Sequence, residues 1–219
     1  MRLHPVAAVI SLQDIGVSLG GQTILRGLHL TVTPGQVLGV AGPNGSGKTT
    51  LLRLLATLLS PSRGQATVLG AALGSPSVYD VRRSIGLMSH IPAVIGELTL
   101  RENLDHVARL VGESETRVDA ALRVVGLDEV GGRRADASSF GMLRRTEAAR
   151  LLLTRPRLLL LDEAFSGLDV EAQELIDAVI RRTIENEGAV VMVSHDAVHL
   201  GDRAHQVMTL SAGTLEPVT

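Results

Sequence analysis

Nine consecutive residues, Gly42-Pro43-Asn44-Gly45-Ser46-Gly47-Lys48-Thr49-Thr50, have the types and spacing of a phosphate-binding loop, G-x-x-x-x-G-K-[ST]. Glycines let the backbone curl until successive N–H groups point at one anion. A helix starting inside the loop adds the positive end of its dipole. Lys48 is placed to reach the β- and γ-phosphates of a nucleotide, and the Thr49 hydroxyl to hold Mg²⁺. Lys48 is also the only lysine among 21 basic residues; all the others are arginine. A compact ammonium, not a planar fork, is what a phosphate cradle needs at that point.

A second group of candidates follows two apolar runs. Leu158 to Leu161 is a continuous leucine run, and Asp162-Glu163 comes directly after it. A carboxylate at the C-terminal end of a central parallel strand faces the ligand crevice of an α/β sheet. Asp162 suits a Mg²⁺ shell, which takes hard oxygen ligands. Glu163, one residue on, can polarise an attacking water. His195 ends the stretch AVVMVSH from Ala189 and so occupies the same kind of strand end, where a γ-phosphate contact is expected.

The elements that must carry these residues can be read from pattern. Gln36 to Ala41 is a short buried strand leading into the loop, and Leu51 to Leu59 a helix leading out. Before them, Val9–Leu19 and Gln22–Thr33 form a hairpin about Gly20-Gly21. Gln65–Leu69 and Ile85–Ser89 are further strands, with a short helix from Ser75 to Arg83 between them. Leu100, Leu104, Val107, Ala108 and Val111 recur at helical spacing, with Gly112 as the stop. Val118, Ala121, Leu122 and Val125 repeat that pattern before Gly126. A helix from Val170 to Glu187, a strand Ala189–Val193 and closing strands His205–Leu210 and Thr214–Glu216 complete the chain. The expectation is an α/β core with an N-terminal antiparallel β-subdomain, about 1–90 and 156–219, and an inserted helical subdomain at about 91–155.

Composition excludes several classes. A net charge of −2 leaves no basic footprint for nucleic acid. Zero cysteines exclude disulfides and thiolate metal sites, which fits the cytosol. The N-terminus lacks a charged-then-apolar signal pattern, and no apolar run approaches the roughly twenty residues of a membrane span. A soluble chain is expected. Its three aromatics, Tyr79, Phe140 and Phe165, require an aliphatic core.

In the order of its motifs the whole chain resembles the ATP-binding cassette (ABC) ATPase subunits of membrane transporters. Gly42–Thr49 is similar to that family's Walker A loop, Leu158–Asp162 to its Walker B strand, and Ser166-Gly167-Leu168-Asp169 to its D-loop. Ser138-Ser139-Phe140-Gly141-Met142 resembles a degenerate LSGGQ signature that keeps Ser139 and Gly141. The resemblance implies an ATPase of P-loop fold using ATP and Mg²⁺, with Glu163 as general base and His195 as switch histidine. It implies paired cassettes, a homodimer or two related chains. Ser139 and Gly141 of one chain then act on ATP held by the other, and Asp169 is the D-loop aspartate. It also implies a separate integral membrane subunit and a peripheral location on the cytoplasmic face, with membrane contact only through that partner.

The same resemblance exposes two departures. The family's adenine-stacking aromatic falls near Leu19, which has no π-face, so selection of adenine over guanine is not expected. The family's Mg²⁺-sensing glutamine falls at His90; imidazole is a poor Mg²⁺ ligand, which implies action through a water. Ser89-His90 followed by Gly96-Glu97-Leu98-Thr99-Leu100-Arg101-Glu102-Asn103-Leu104 also resembles the cassette of the bacterial haem exporter for cytochrome c maturation. Ile91 to Leu98 is apolar but broken by Pro92 and Gly96, which predicts a surface loop with exposed Ile and Val for a partner. The competing readings are a non-transport ABC ATPase and a nucleotide-dependent regulatory module without turnover.

Overall fold

The computed structural model describes residues 7 to 218, so the first six residues of the N-terminal reading lie outside the described residues. The chain divides into two compact units. One runs to Leu87 and takes in Arg157–Glu163 and the chain from Thr183 onward; the other comprises Met88–Pro156 and Ala164–Arg182.

In the first unit, β1 (Ile10–Leu19) and β2 (Gln22–Val32) pair antiparallel. Gly20 and Gly21 both take positive φ (57° and 80°), the conformation that a two-residue hairpin turn demands. Leu28, Leu30 and Val32 are buried while His29 and Thr31 between them are exposed, the alternation of a sheet with one wet face. β3 (Val37–Ala41) is buried at every position, and α1 (Lys48–Leu55) follows the loop. This helix is shorter than the leucine run suggests, because Thr57 turns to φ 60° and Arg82 holds its hydroxyl (3.0 Å) and carbonyl (2.8 Å).

β4 (Arg63–Val68) joins β1, and a two-residue strand, β5 (Ala71–Ala72), pairs with β4. The helix expected from Ser75 begins only at Val78. The Ser75 hydroxyl is engaged with the Ala72 carbonyl (2.8 Å) in a turn, leaving α2 (Val78–Val81) and a 3₁₀ turn before β6 (Ile85–Met88).

The second unit is helical. α3 (Leu100–Val111) starts with a reciprocal capping box between Thr99 and Glu102 and stops at left-handed Gly112. α4 (Glu115–Val124) and α5 (Phe140–Thr154) pack with it, and Leu100, Leu104, Val118, Leu122, Leu151 and Leu153 are buried.

β7 (Leu158–Asp162) returns the chain to the first unit. α6 (Val170–Glu185) begins in the second unit and ends in the first. It stops two residues before the expected end, where Glu187 turns to φ 56° and the Gly188 amide donates to the Thr183 carbonyl. β8 (Ala189–Ser194), a short α7 (Ala197–Gly201), β9 (Gln206–Ser211) and β10 (Thr214–Pro217) follow. The six-stranded sheet has the order β10-β9-β3-β8-β7-β6, and the four-stranded sheet β2-β1-β4-β5. β3, β8 and β7 run parallel and are almost wholly apolar, as strands covered on both faces must be. Parallel register brings the ends of these three strands together, Ala41 beside Ser194 and Asp162 beside Val193. The residues at and just beyond those ends carry the chemistry.

Candidate active site

The loop from Gly42 to Thr50 leaves β3 with its tip (Pro43, Asn44, Gly45) open to solvent. Two of its glycines are dictated by geometry. A Cβ on Gly42 would fall 2.4 Å from the Leu210 carbonyl oxygen and 2.8 Å from Ser46 Oγ. Gly47, at φ 107°, caps α1 in a conformation closed to other residues. Lys48 is 7% exposed, and its Nζ donates to the carbonyls of Gly42 (2.7 Å) and Pro43 (3.0 Å). These contacts hold the ammonium across the loop. Ser46 Oγ is buried with no hydrogen-bond partner. An orphaned hydroxyl among the backbone amides of such a loop fits an anion.

One residue further, Thr49 Oγ1 donates to Asp162 Oδ2 at 3.1 Å. The pair joins the start of α1 to the end of β7 and offers two hard oxygen donors, the ligand chemistry that suits Mg²⁺. Glu163, next in sequence, has φ 50°, an uncommon conformation for glutamate that turns the chain off β7. Its carboxylate is held from β8. Oε2 accepts from the Ser194 hydroxyl (2.8 Å), while Oε1 accepts from the His195 amide (2.7 Å) and lies 2.9 Å from His195 Nδ1. Partial burial pushes its pKa up, but the bonds from the His195 ring, the Ser194 hydroxyl and the His195 amide outweigh it. The carboxyl is held below the usual glutamate range. With Nδ1 donating to the carboxylate, the exposed imidazole keeps Nε2 free. Leu19, at the end of β1, is 41% exposed.

The structure therefore brings Lys48, Thr49, Asp162, Glu163 and His195 to neighbouring strand and loop ends. It gives His195 a partner that sequence reasoning had not assigned, Glu163 itself. Ser194 escaped notice altogether; its only signal was a hydroxyl next to the histidine at a strand end.

The other candidates lie in the second unit. Ser139 is the N-cap of α5 and accepts from the Met142 amide at 3.3 Å, while a Cβ on Gly141 would meet no atom within 4 Å. His90 is exposed, and its carbonyl accepts from Arg144 Nη2 (2.6 Å). Asp169 Oδ1 accepts from the Ala172 amide at 2.8 Å, at the start of α6. Ile91 and Ile95 are exposed, so the apolar stretch is a surface loop and not core.

Fold and site define a P-loop nucleotide-binding protein of the NTPase class. Residues 25–166 match the ABC transporter family. Over 193 residues the chain is 35% identical to the cytochrome c biogenesis ATP-binding export protein CcmA 2 of Cupriavidus metallidurans, covering 86% of this chain and 90% of that one. Over 208 residues it is 36% identical to the Nod factor export ATP-binding protein I of Rhizobium johnstonii, covering 92% of this chain but only 66% of that relative. Among solved structures, the dimeric post-hydrolysis state of the ATP-binding cassette MJ0796, bound to ADP and Pi, superposes with a TM-score of 0.81. The match is 22% identical and covers 96% of this chain and 99% of that one, a likeness of fold. The chain belongs to the ABC transporter family, as its ATP-binding domain. Among the described residues no helix is long and apolar enough to cross a membrane.

Proposed function

We propose that the chain binds Mg²⁺-ATP at Gly42–Thr50 and hydrolyses it, supplying the energy for a separate membrane transporter subunit. The observation that carries this reading is Glu163, held ionised by Ser194 and His195 on the residue next to the Thr49–Asp162 pair. In it, the loop amides and Lys48 bind the β- and γ-phosphates, and Ser46 Oγ gains the partner it lacks. Thr49 and Asp162 hold Mg²⁺, which neutralises charge on those phosphates. Glu163 accepts a proton from the attacking water, and His195, fixed through Nδ1, turns Nε2 to the γ-phosphate. Ser139 and the Gly141 amide act from a second cassette, a pairing that the dimeric MJ0796 supports. Asp169 lies at the boundary of the pair, and His90 acts on the Mg²⁺ shell through a water.

The membrane partner meets the loop Ile91–Leu98, placing the chain on the cytoplasmic face as a peripheral subunit. A haem exporter for cytochrome c maturation is the cargo reading supported by the CcmA relative and by His90. Phosphate release by the purified chain should require Mg²⁺ and vanish in Lys48→Ala. The tagged chain should co-purify from membranes with an integral subunit, and Val94→Asp or Ile95→Asp should lose that subunit without melting earlier. Wild type that releases no phosphate, even with its membrane fraction, would leave a regulatory module as the reading.

A further inference from the structure

Helix α5 fully buries two charged side chains that the site does not use. Arg144 and Glu147 are 2% and 0% exposed, one turn apart, with Arg144 Nη1 2.9 Å from Glu147 Oε2. The same guanidinium donates to the carbonyls of Ser89 (2.5 Å) and His90 (2.6 Å). Glu147 Oε1 accepts from the Ala93 amide at 3.0 Å. From α3, Asn103 accepts from the Ile95 amide (2.7 Å) and donates to the Ile95 carbonyl (3.1 Å). Three buried polar side chains thus grip the backbone of one irregular loop at Ser89, His90, Ala93 and Ile95.

The same loop leaves its apolar side chains outside, with Ile91 76% and Ile95 46% exposed. Packing alone would turn isoleucines inward. Here buried charge fixes the backbone while the isoleucines stay presented. At the other end, the Arg144 guanidinium lies 5.1 Å from the centroid of the Phe140 ring, the residue after the Ser139 cap. One rigid helix therefore joins the gripped loop to the Ser139 end.

We propose that Arg144 and Glu147 are positioning residues that tie the exposed loop to the N-terminus of α5, so that a partner seated on Ile91 and Ile95 sets the rate of turnover through that helix. The inference rests on the reading that this loop meets the membrane subunit. A guanidinium is suited to the task because its planar fork can serve two carbonyls and a carboxylate together, which an ammonium on a flexible stem cannot. Keeping both charges buried is costly unless each is paired and bonded, so the pair resists partial disruption and passes displacement on as a unit.

The test uses the chain with its co-purified membrane subunit in lipid nanodiscs, and the chain alone. In the double variant Arg144→Met/Glu147→Leu, exchange of the Ala93 amide should accelerate about tenfold or more. Phosphate release by the chain alone should stay within about threefold of wild type, the complex should still co-purify, and stimulation by the membrane subunit should be lost. Glu147→Gln, whose side-chain oxygen can still accept from Ala93, should retain most of the stimulation. If the double variant fails to fold, Arg144→Lys takes its place; it leaves the Glu147–Ala93 bond intact, so stimulation should be lost with Ala93 exchange near wild type, and stimulation kept at the wild-type level overturns the proposal. In the double variant, stimulation at the wild-type level despite faster Ala93 exchange overturns the proposal, as does Ala93 exchange that does not change. A wild-type chain whose turnover ignores the membrane subunit refutes the transport reading instead, and Ala93 exchange still decides whether Glu147 holds the loop.

Discussion

Glu163 and Glu147 are the same side chain in opposite surroundings. Glu163 sits beyond the end of β7 with three donors on its two oxygens, and its carboxyl is held below the ordinary range although partial burial opposes this. Glu147 lies within α5, fully buried. There burial dominates, raising its pKa despite the Ala93 amide and the charge of Arg144. The difference shows that the count of donors and the loss of water together set what a carboxylate can do. A group that stays ionised beside an open loop can take a proton from water. A group sealed inside a helix bundle can only hold its neighbours.

The largest effect that could break this comparison is on rate. Glu163→Gln should bind ATP yet slow phosphate release by ~10²–10⁴, the usual loss for an acid–base group. Glu147→Gln should leave the basal rate within a few-fold. Steady-state phosphate release decides it. Equal losses in the two variants would mean that Glu163 acts only through structure, and near-normal turnover in Glu163→Gln would remove it as the base.

Stability should rank the two regions the other way. Arg144→Met removes the nearer cation from the buried Glu147 carboxylate and leaves only Arg150 Nη2 at 4.0 Å, and breaking one partner of a buried pair costs about 3–5 kcal/mol. The double change Arg144→Met/Glu147→Leu should recover much of that loss. His195→Ala should cost far less, because its ring is largely exposed. Urea melts of the three variants test this, and a double variant no more stable than Arg144→Met would contradict the account.

How legible each region was in the sequence depends on the same contrast. The nucleotide side announces itself in local runs: apolar strands ending in Gly42, in Asp162-Glu163 and in Ser194-His195, whose parallel register the sheet then aligns. The helical side does not. α5 buries Arg144, Thr146 and Glu147, polar residues where a core-facing stripe should be apolar, so periodicity hides the buried face. Besides each other, Arg144 and Glu147 hold backbone atoms 54 and 55 positions away, which no local pattern encodes. Short elements failed for another reason. β5 and α7 have only two and five residues, too few to show a period. The extent of the second unit, which takes in 164–182, is likewise a matter of long-range contact.

A smaller effect sharpens the nucleotide side. If the loop, Lys48 and the Mg²⁺ donors carry most of the binding energy, the base contributes little at exposed Leu19. ATP and GTP should then bind alike, and Leu19→Tyr should tighten ATP by up to ~1–3 kcal/mol, the range of base–aromatic stacking. Calorimetric titration of both nucleotides is the check; unchanged ATP affinity in Leu19→Tyr would place the base elsewhere.

The smallest effect compares the two glutamates directly. Glu163 has a folded pKa below its unfolded one, near ~4.3. Its ionisation therefore contributes stability that is fully present above ~4.3 and is lost as pH falls through the lower folded value. Glu147 has a folded pKa above the unfolded one, with burial as the main cause. Its contribution is fully present below ~4.3 and is lost as pH rises through the raised value. The cost of Glu163→Gln should thus grow with pH on the acid side of ~4.3 and then level off. The cost of Glu147→Gln should be level there and shrink on the alkaline side. The charged groups facing these carboxylates are His195 for Glu163, and Arg144 and Arg150 for Glu147. Urea melts of wild type and both variants across that range yield the two difference curves. Slopes of the same sign, or on the same side of ~4.3, would mean that one of the two surroundings has been misjudged.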